Sequence, residues 1–347
     1  MNYRKFGTTD LMVSEIGFGA WAIGGNAVVG DTPIGWGPAD DNTSVAALRK
    51  SLDVGINFFD TADFYGLGHS EELIGKEFRN NKEIIIATKV GHRVIDNKIQ
   101  LDYSKEYILE ACEKSLKRLK RDFIDYYQLH SARMQHFEKE QCIEAMELLK
   151  KEGKIRHWGL SLNTFYPEAE ANYLMEKKSG EARPPARAGT DGDDLVGRGF
   201  QLVFNLINQK ALPVMEEANK KGYGIIARMP LQFGLLTGKF TEDAKFSDDD
   251  HRKFRLTKDI IGKTNKILEE KVWTLCEKYN ISKTSLALSF ILSFDSVSTV
   301  IPGIRTAQNS IDNTKDIIRL DKNDVAHLKE LYNSDWKEIV DLMEKQG

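Results

Sequence analysis

A (β/α)8 barrel with an N-terminal β-hairpin and extra C-terminal helices is the fold that this 347-residue sequence predicts. Three observations predict it. After an opening hairpin, eight short apolar runs alternate with stretches of helical periodicity. No run between them reads as an antiparallel meander. The competing doubly wound sheet lacks its phosphate-binding fingerprint: neither G-x-G-x-x-G after the first strand nor G-x-x-x-x-G-K-[ST] occurs.

The totals fit that fold. A hydrophobic share of 41% beside 29% charged residues describes a globular chain with ample core. The length alone suggests two domains, but α/β barrels run long, and 1–347 reads as one barrel domain. A net charge of -3 gives no bulk reason to expect nucleic acid or an anionic membrane as partner. No apolar run approaches a membrane span, and the N-terminus leads into no signal-peptide core. Cys112, Cys142 and Cys276 are far apart and in no metal-ligand spacing, which fits reduced thiols in a cytoplasm and no metal site.

Taken in order, residues 2–14 read as two strands around Gly7 to Asp10. A glycine-containing strand over 15–20 is followed by a loop, 21–41, carrying Trp21 and Trp36; loops of that length tend to be functional. A helix from Asn42 has Val45, Leu48 and Leu52 on one face and stops at Gly55. A strand over 56–59 precedes Ser70, which reads as an N-cap with Glu71 and Glu72 in its first turn. The strand 83–89 closes on a lysine, a helix spans 104–119, and the strand 123–130 closes on a histidine. Helix 140–153 and strand 154–161 come next, then a helix over 167–178.

The stretch 179–199 departs from the rest. It is rich in Gly, Ala, Arg, Pro and Asp and has no lysine, isoleucine or aromatic, so it reads as an irregular insertion. Joining a helix to the next strand, it belongs on the barrel's bottom face. The pattern resumes with strand 200–205, a helix with Pro213 early and Gly222 as stop, and strand 224–228. A loop over 229–263 precedes a helix with Leu268, Val272, Leu275, Cys276 and Tyr279 in register and a second over 282–293. Strand 298–301, a Pro302-Gly303 turn and amphipathic helices complete the chain.

Such a barrel puts chemistry at the C-terminal ends of its strands. Asp60, Lys89 and His130 end the second, third and fourth, and Tyr65 lies in the loop after the second. Taken singly, a lysine leaving a barrel or a core histidine is ordinary. Three consecutive strands ending Asp, Lys and His, with Tyr beside them, are hard to obtain by packing alone. A phenol has a pKa of about 10, and a nearby ammonium lowers it. Asp60 would hold Lys89 and balance its buried charge. His130 would orient a carbonyl oxygen against the Tyr65 hydroxyl, which is general-acid and electrostatic work. No side chain donates a hydride, so a reduction here needs a cofactor.

The motifs Phe58 to Gly66 (FFDTADFYG), Ala87 to Lys89, Gln128 to His130, Trp158 to Ser161, Leu235 to Lys239 and Ile301 to Gly303 make the chain similar to the aldo-keto reductase family, in its bacterial-type, NADP-dependent form. The resemblance runs from the hairpin to about Asn313. It implies Tyr65 as proton donor, Asp60 and Lys89 as its tuning pair, His130 as substrate orienter, and a nicotinamide cofactor across the barrel top. It also implies that Gly19, Ala20 and Trp21 border the nicotinamide ribose and that Ser161 and Gln201 hold the carboxamide. The stretch with Met229, Pro230, Leu231, Gly234, Leu236 and Lys239 matches the family's loop over the pyrophosphate. Gly303, Arg305, Asn309 and Asn313 match the adenosine end, with Arg305 the candidate for a 2′-phosphate, which places NADPH ahead of NADH.

Two positions depart from the family pattern. The usual Ser-Asn pair is Ser161-Leu162-Asn163, so Asn163 falls on the other side of an extended chain. The aromatic that commonly stacks on nicotinamide is replaced by Arg228, which would favour reduced cofactor or contact an anionic substrate. Trp21, Trp36, His92, Arg93, Arg133 and Phe233 are candidate substrate contacts. The function expected is NADPH-dependent reduction of an aldehyde or ketone. The alternatives are a cofactor-sensing regulatory subunit, like the potassium-channel β-subunits that resemble this family, and a ketoreductase acting on a nucleotide-linked sugar.

Overall fold

The computed structural model describes residues 1–35, 37–177, 195–248, 250 and 252–346. Eight parallel strands form one sheet, here numbered β1 (Phe18–Gly19), β2 (Phe58–Asp60), β3 (Ile85–Val90), β4 (Ile124–His130), β5 (Ile155–Ser161), β6 (Gly199–Val203), β7 (Gly224–Arg228) and β8 (Thr299–Ile301). Each pairs with the next, and parallel bridges Ile16 to Val300 and Gly19 to Gly303 join the two edges. The sheet therefore closes, and no edge is left to pair elsewhere.

Side-chain alternation divides the core in two. Phe58, Ile85, Ala87, Tyr126, Ile226 and Ile301 point inward and form one buried cluster with Phe6, Leu11 and Val13. The opening hairpin, Tyr3–Lys5 against Met12–Ser14, thus plugs the barrel floor. Close approach explains two glycines there: a Cβ on Gly199 or Gly224 would lie 2.6 Å from the Phe6 ring. Arg4 fixes the hairpin by donating to Glu15 Oε1 (2.7 Å) and to the carbonyls of Leu292 (2.7 Å), Phe294 (3.0 Å) and Val297 (2.8 Å) at the end of helix Lys283–Leu292. Residues of opposite parity pack outward against the helices.

Helix caps follow the expected chemistry at Asp40, Ser104, Thr257 and Ser282, whose side chains each accept a backbone N–H of the first turn. Ser70 does not cap. Helix His69–Phe78 begins after Gly68, and the buried Ser70 hydroxyl instead accepts from Thr61 Oγ1 and donates to the Ala20 carbonyl.

The loops depart from the sequence reading. The stretch after β3 forms an antiparallel hairpin, His92–Ile95 with Lys98–Leu101, where only a loop was expected. A smaller pairing, Val28–Val29 with Thr32–Pro33, interrupts the loop after β1. Helix Lys258–Ile267 begins inside the loop expected over 229–263 and continues through a widened turn, Leu268–Val272, into Thr274–Tyr279. Most of the 179–199 insertion, and Trp36, lie outside the described residues. Cys112 and Cys142 are buried and Cys276 half-buried, all as free thiols.

Candidate active site

The barrel's register brings the strand ends together. Asp60 pairs beside Gly19 and Ala87, Gln128 beside Lys89, and His130 beside Ser161, which in turn adjoins Gln201. Lys89 is fully buried, and its Nζ donates to Asp60 Oδ2 (2.6 Å), the Thr61 carbonyl (2.7 Å) and the Tyr65 hydroxyl (3.1 Å). All three protons of the ammonium are used. The other Asp60 oxygen accepts from Gln128 Nε2 (3.1 Å) and Gln201 Nε2 (2.7 Å).

Tyr65 starts a short 3-10 turn, Tyr65–Gly68, directly beyond β2. Gly66 lets the chain turn there: its φ is 61°, and a Cβ would lie 2.0 Å from the Gly24 carbonyl oxygen. The Tyr65 ring stands 5.1 Å from Trp21 and 5.9 Å, edge-on, from His130. His92 and Phe64 extend the wall, with His92 4.5 Å from His130 and 5.0 Å from Phe64. Tyr103 fixes the far side by donating its hydroxyl to the His130 carbonyl at 2.6 Å.

Burial is the largest influence on Tyr65, Lys89, His130 and His92. It raises the Tyr65 phenol above its ordinary value; Lys89 opposes this and Asp60 reinforces it. The sequence reading expected the ammonium to prevail. It does not, because burial of the phenol outweighs the ammonium and Asp60 adds to the rise. Burial pushes Lys89 down, but Asp60 and Tyr65 outweigh it and hold the ammonium above the usual lysine value. Burial also drives His130 well below the imidazole range, with His92, Lys89 and Arg228 adding to the effect, and takes His92 to about 4. At neutral pH the set is a protonated phenol, a charged lysine and two neutral imidazoles.

The positions expected to hold a cofactor divide into those facing the barrel mouth and those otherwise engaged. Gly19 and Gly303 close the barrel, and Ala20 and Trp21 open the turn Ala20–Gly24. Ser161 is buried next to His130. Gln201 donates one amide N–H to Asp60. Met229 (φ 55°) begins the loop after β7, and Pro230, Leu231 and Gly234 follow. The Leu236 side chain is fully buried in the helix-facing core and anchors this loop. Asn205, which the sequence reading passed over, holds this loop by donating to the Met229 carbonyl (2.9 Å) and Gln232 Oε1 (2.8 Å).

Lys239 is exposed. Arg305 donates through Nη2 to the Pro38 carbonyl, and Asn309 caps helix Ala307–Thr314 reciprocally with Thr306. Asn309's side-chain oxygen is therefore spent on the cap. Asn313 is buried with its amide nitrogen unpartnered, a donor left for a ligand atom. Asn163, displaced by one residue, accepts from the backbone N–H groups of Phe165 (2.9 Å) and Tyr166 (3.1 Å) and shapes its own loop. The unpartnered Asn313 donor and the cationic side chains of Lys239 and Arg305 are of the chemical kind that suits an anionic dinucleotide.

A family model described as the aldo/keto reductase family matches residues 15–333. The chain belongs to this family. It is 33% identical over 307 residues to the uncharacterized oxidoreductase YqkF of Bacillus subtilis, covering 87% of each chain. It is 30% identical to the aldo-keto reductase yakc [NADP(+)] of Schizosaccharomyces pombe, covering 87% of this chain and 82% of that one. The holo form of aldo-keto reductase AKR11C1 from Bacillus halodurans superposes with a TM-score of 0.73 at 27% identity, covering 95% and 96%. This aldo/keto reductase is thus an NAD(P)H-dependent oxidoreductase built on a (β/α)8 barrel.

Other residues of this aldo/keto reductase have partners that the sequence did not show. Arg93 pairs with Asp102 at 2.9 Å and lies over the Tyr107 ring, so its charge is engaged. Glu71 lies in the first turn of helix His69–Phe78, as expected, and is fully buried; it accepts from Thr88 Oγ1 (2.5 Å) and from Arg118 (2.7 Å). It ties helix His69–Phe78 to β3 beneath Lys89. Gln128 could have been found in the sequence, since it stands two residues before His130 and so shares its face of the strand. Asn205 and Arg118 carried no such signal.

Proposed function

We propose that the protein reduces an aldehyde or ketone to an alcohol with NADPH, Tyr65 being the proton donor. The observation that carries this reading is the fully buried Lys89 ammonium, shared between Asp60 Oδ2 at 2.6 Å and the Tyr65 hydroxyl at 3.1 Å. When bound, the nicotinamide supplies the hydride that no side chain here can. The carbonyl oxygen would lie between the Tyr65 hydroxyl and the His130 ring. As negative charge develops on that oxygen, Tyr65 gives up its proton and keeps the O–H electron pair. Lys89, already donating to the phenolic oxygen, stabilises the phenolate. Neutral His130 donates one N–H without competing for the proton. Trp21, Phe64 and His92 make the pocket wall apolar and keep water from these hydrogen bonds.

The preference for NADPH rests on Arg305, whose guanidinium suits a 2′-phosphate, and on the NADP(+) in the name of the fission-yeast relative. Adding carbonyl compounds of graded polarity to protein and NADPH tests the reading. Loss of nicotinamide absorbance, with slower loss from NADH, is the expected result. Binding of NADPH without turnover of any carbonyl compound would instead favour a cofactor-sensing role.

A further inference from the structure

Arg228 ends β7, between Val203 and Ile301 in the register, so it belongs to the same ring of strand ends as Asp60 and His130. Its Nη2 donates to the Leu162 carbonyl (3.1 Å) and Thr164 Oγ1 (3.2 Å), and its Nη1 to the Met229 sulfur (3.3 Å). Its Nε is buried with no partner. The guanidinium is thus fixed by neutral acceptors alone, and among the described residues no carboxylate forms an ion pair with it.

Arg255, in the short helix Arg252–Arg255, repeats this pattern. Its guanidinium lies 5.5 Å from the Phe233 ring and 5.3 Å from Phe254, its Nε is also buried without a partner, and no described carboxylate pairs with it. It lines one cavity with Phe233 and with Thr164 and Met229, the two side chains that accept from Arg228. Burial takes Arg228 down to about 10, against the upward pull of Tyr65 and Asp60 and with Arg255 adding to the fall, so it remains charged at neutral pH.

The charge count of the pocket follows. Lys89 and Asp60 cancel, His130 and Tyr65 are neutral, and Arg228 and Arg255 remain uncompensated. A carbonyl carbon whose oxygen rests on Tyr65 and His130 must meet its hydride donor within van der Waals contact. The Arg228 charge acts on both Tyr65 and His130, so it also acts on whatever ring stands there. A nicotinamide ring is neutral when reduced and carries a full positive charge when oxidised.

Resting on the reductase reading, we propose that Arg228, backed by Arg255, selects the redox state of the cofactor: the pocket binds NADPH and repels NADP+. The pair thereby specifies direction. Oxidised cofactor leaves readily after reduction, and alcohol oxidation is held down because its co-substrate is poorly captured. Two like charges a few ångströms apart in a partly dry site make a preference of about tenfold or more.

Trp21, 5.1 Å from Tyr65, provides a fluorescence signal for titrating the full-length protein with NADPH and, separately, NADP+. Wild type is expected to bind NADPH at least about tenfold more tightly. In R228Q the ratio narrows at least fivefold, roughly, mainly because NADP+ tightens, whereas R228K, which keeps the charge, stays near wild type. An R228Q ratio equal to wild type's, or an R228K ratio as narrow as R228Q's, overturns the proposal. Should R228Q fail to fold, R255Q decides: a narrowed ratio supports it and an unchanged one overturns it. Failure of wild type to bind either nucleotide would remove the reductase reading together with this inference; an unchanged ratio removes the inference alone.

Discussion

The Lys89 ammonium donates to the Tyr65 hydroxyl from 3.1 Å while standing 4.8 Å from the centre of the same ring, with Asp60 closing the far side of the ammonium at 2.6 Å. A buried phenol is poorly acidic on its own. The contact means that the phenolate, once formed, meets a cation already in place. Lys89 thus works against burial, lowering the cost of forming the phenolate without bringing the phenol below its ordinary value.

Removing that cation separates the two roles of the pair. Lys89→Met is expected to lower kcat by about 100-fold or more, since a positioned, electrostatically supported proton donor contributes ~100- to 10,000-fold. It also leaves Asp60 buried with its largest partner gone, at a cost of about 3–5 kcal/mol. The double variant D60N/K89M should recover much of that stability without recovering turnover. Chemical denaturation and steady-state kinetics, run side by side, check both halves.

The pH dependence of reduction follows from two directions of shift. Tyr65 is held above the ordinary phenol value, so its donor form is complete at neutral pH and is lost only as pH rises past that raised value. His130 lies well below the usual imidazole range, so it stays neutral through pH 6 to 8. The rate of reduction at saturating NADPH should therefore be level from about pH 6 to 9 and fall only above about 10. A rate that doubled or halved with an apparent pKa near 6.5 would assign the limiting proton to a histidine.

Gln201 offers a test of where its amide works. Spent on Asp60 at 2.7 Å, it supports the Asp60–Lys89 pair, and Gln128 supports the same oxygen from the neighbouring strand. Gln201→Leu is expected to reduce kcat about tenfold, in line with losing one hydrogen bond to a buried charge, while changing the dissociation constant of NADPH by less than about threefold. A large loss of NADPH affinity with kcat intact would return Gln201 to the carboxamide.

Glu71 is the buried carboxylate on which the second helix and third strand meet. Glu71→Ala strips Thr88 and Arg118 of their acceptor and leaves a partly buried guanidinium unpaired, which should cost about 3–5 kcal/mol by urea denaturation. Glu71→Gln keeps one acceptor and should cost less. Equal stabilities for the two variants would show that the charge, not the hydrogen-bonding geometry, matters there.

How much of this was legible in the sequence differs by kind of information. Strand ends were readable because a buried run must stop where the chain meets polar chemistry, so Asp60, Lys89 and His130 announced the barrel mouth. Partnerships across strands were not, because register is a three-dimensional property: nothing in the order of residues says that Gln128 and Gln201 converge on one oxygen. Ser70 misled for a related reason. A serine before two glutamates has the form of a cap, but Gly68 turns the chain earlier and frees the Ser70 hydroxyl for Thr61 and Ala20. The hairpin His92–Leu101 went unseen because each strand is only four residues long and neither is buried, so the alternation of Lys98-Ile99-Gln100-Leu101 is too short to stand out.

The central claim is that the Tyr65 hydroxyl gives the proton. Single-turnover reduction of one good carbonyl substrate by preformed protein–NADPH, comparing wild type with Tyr65→Phe, tests it most directly. A fall of at least about 100-fold in the turnover step, with NADPH affinity and thermal unfolding within error of wild type, is the predicted result. A Tyr65→Phe protein that reduces the same carbonyl within about threefold of the wild-type rate would contradict it.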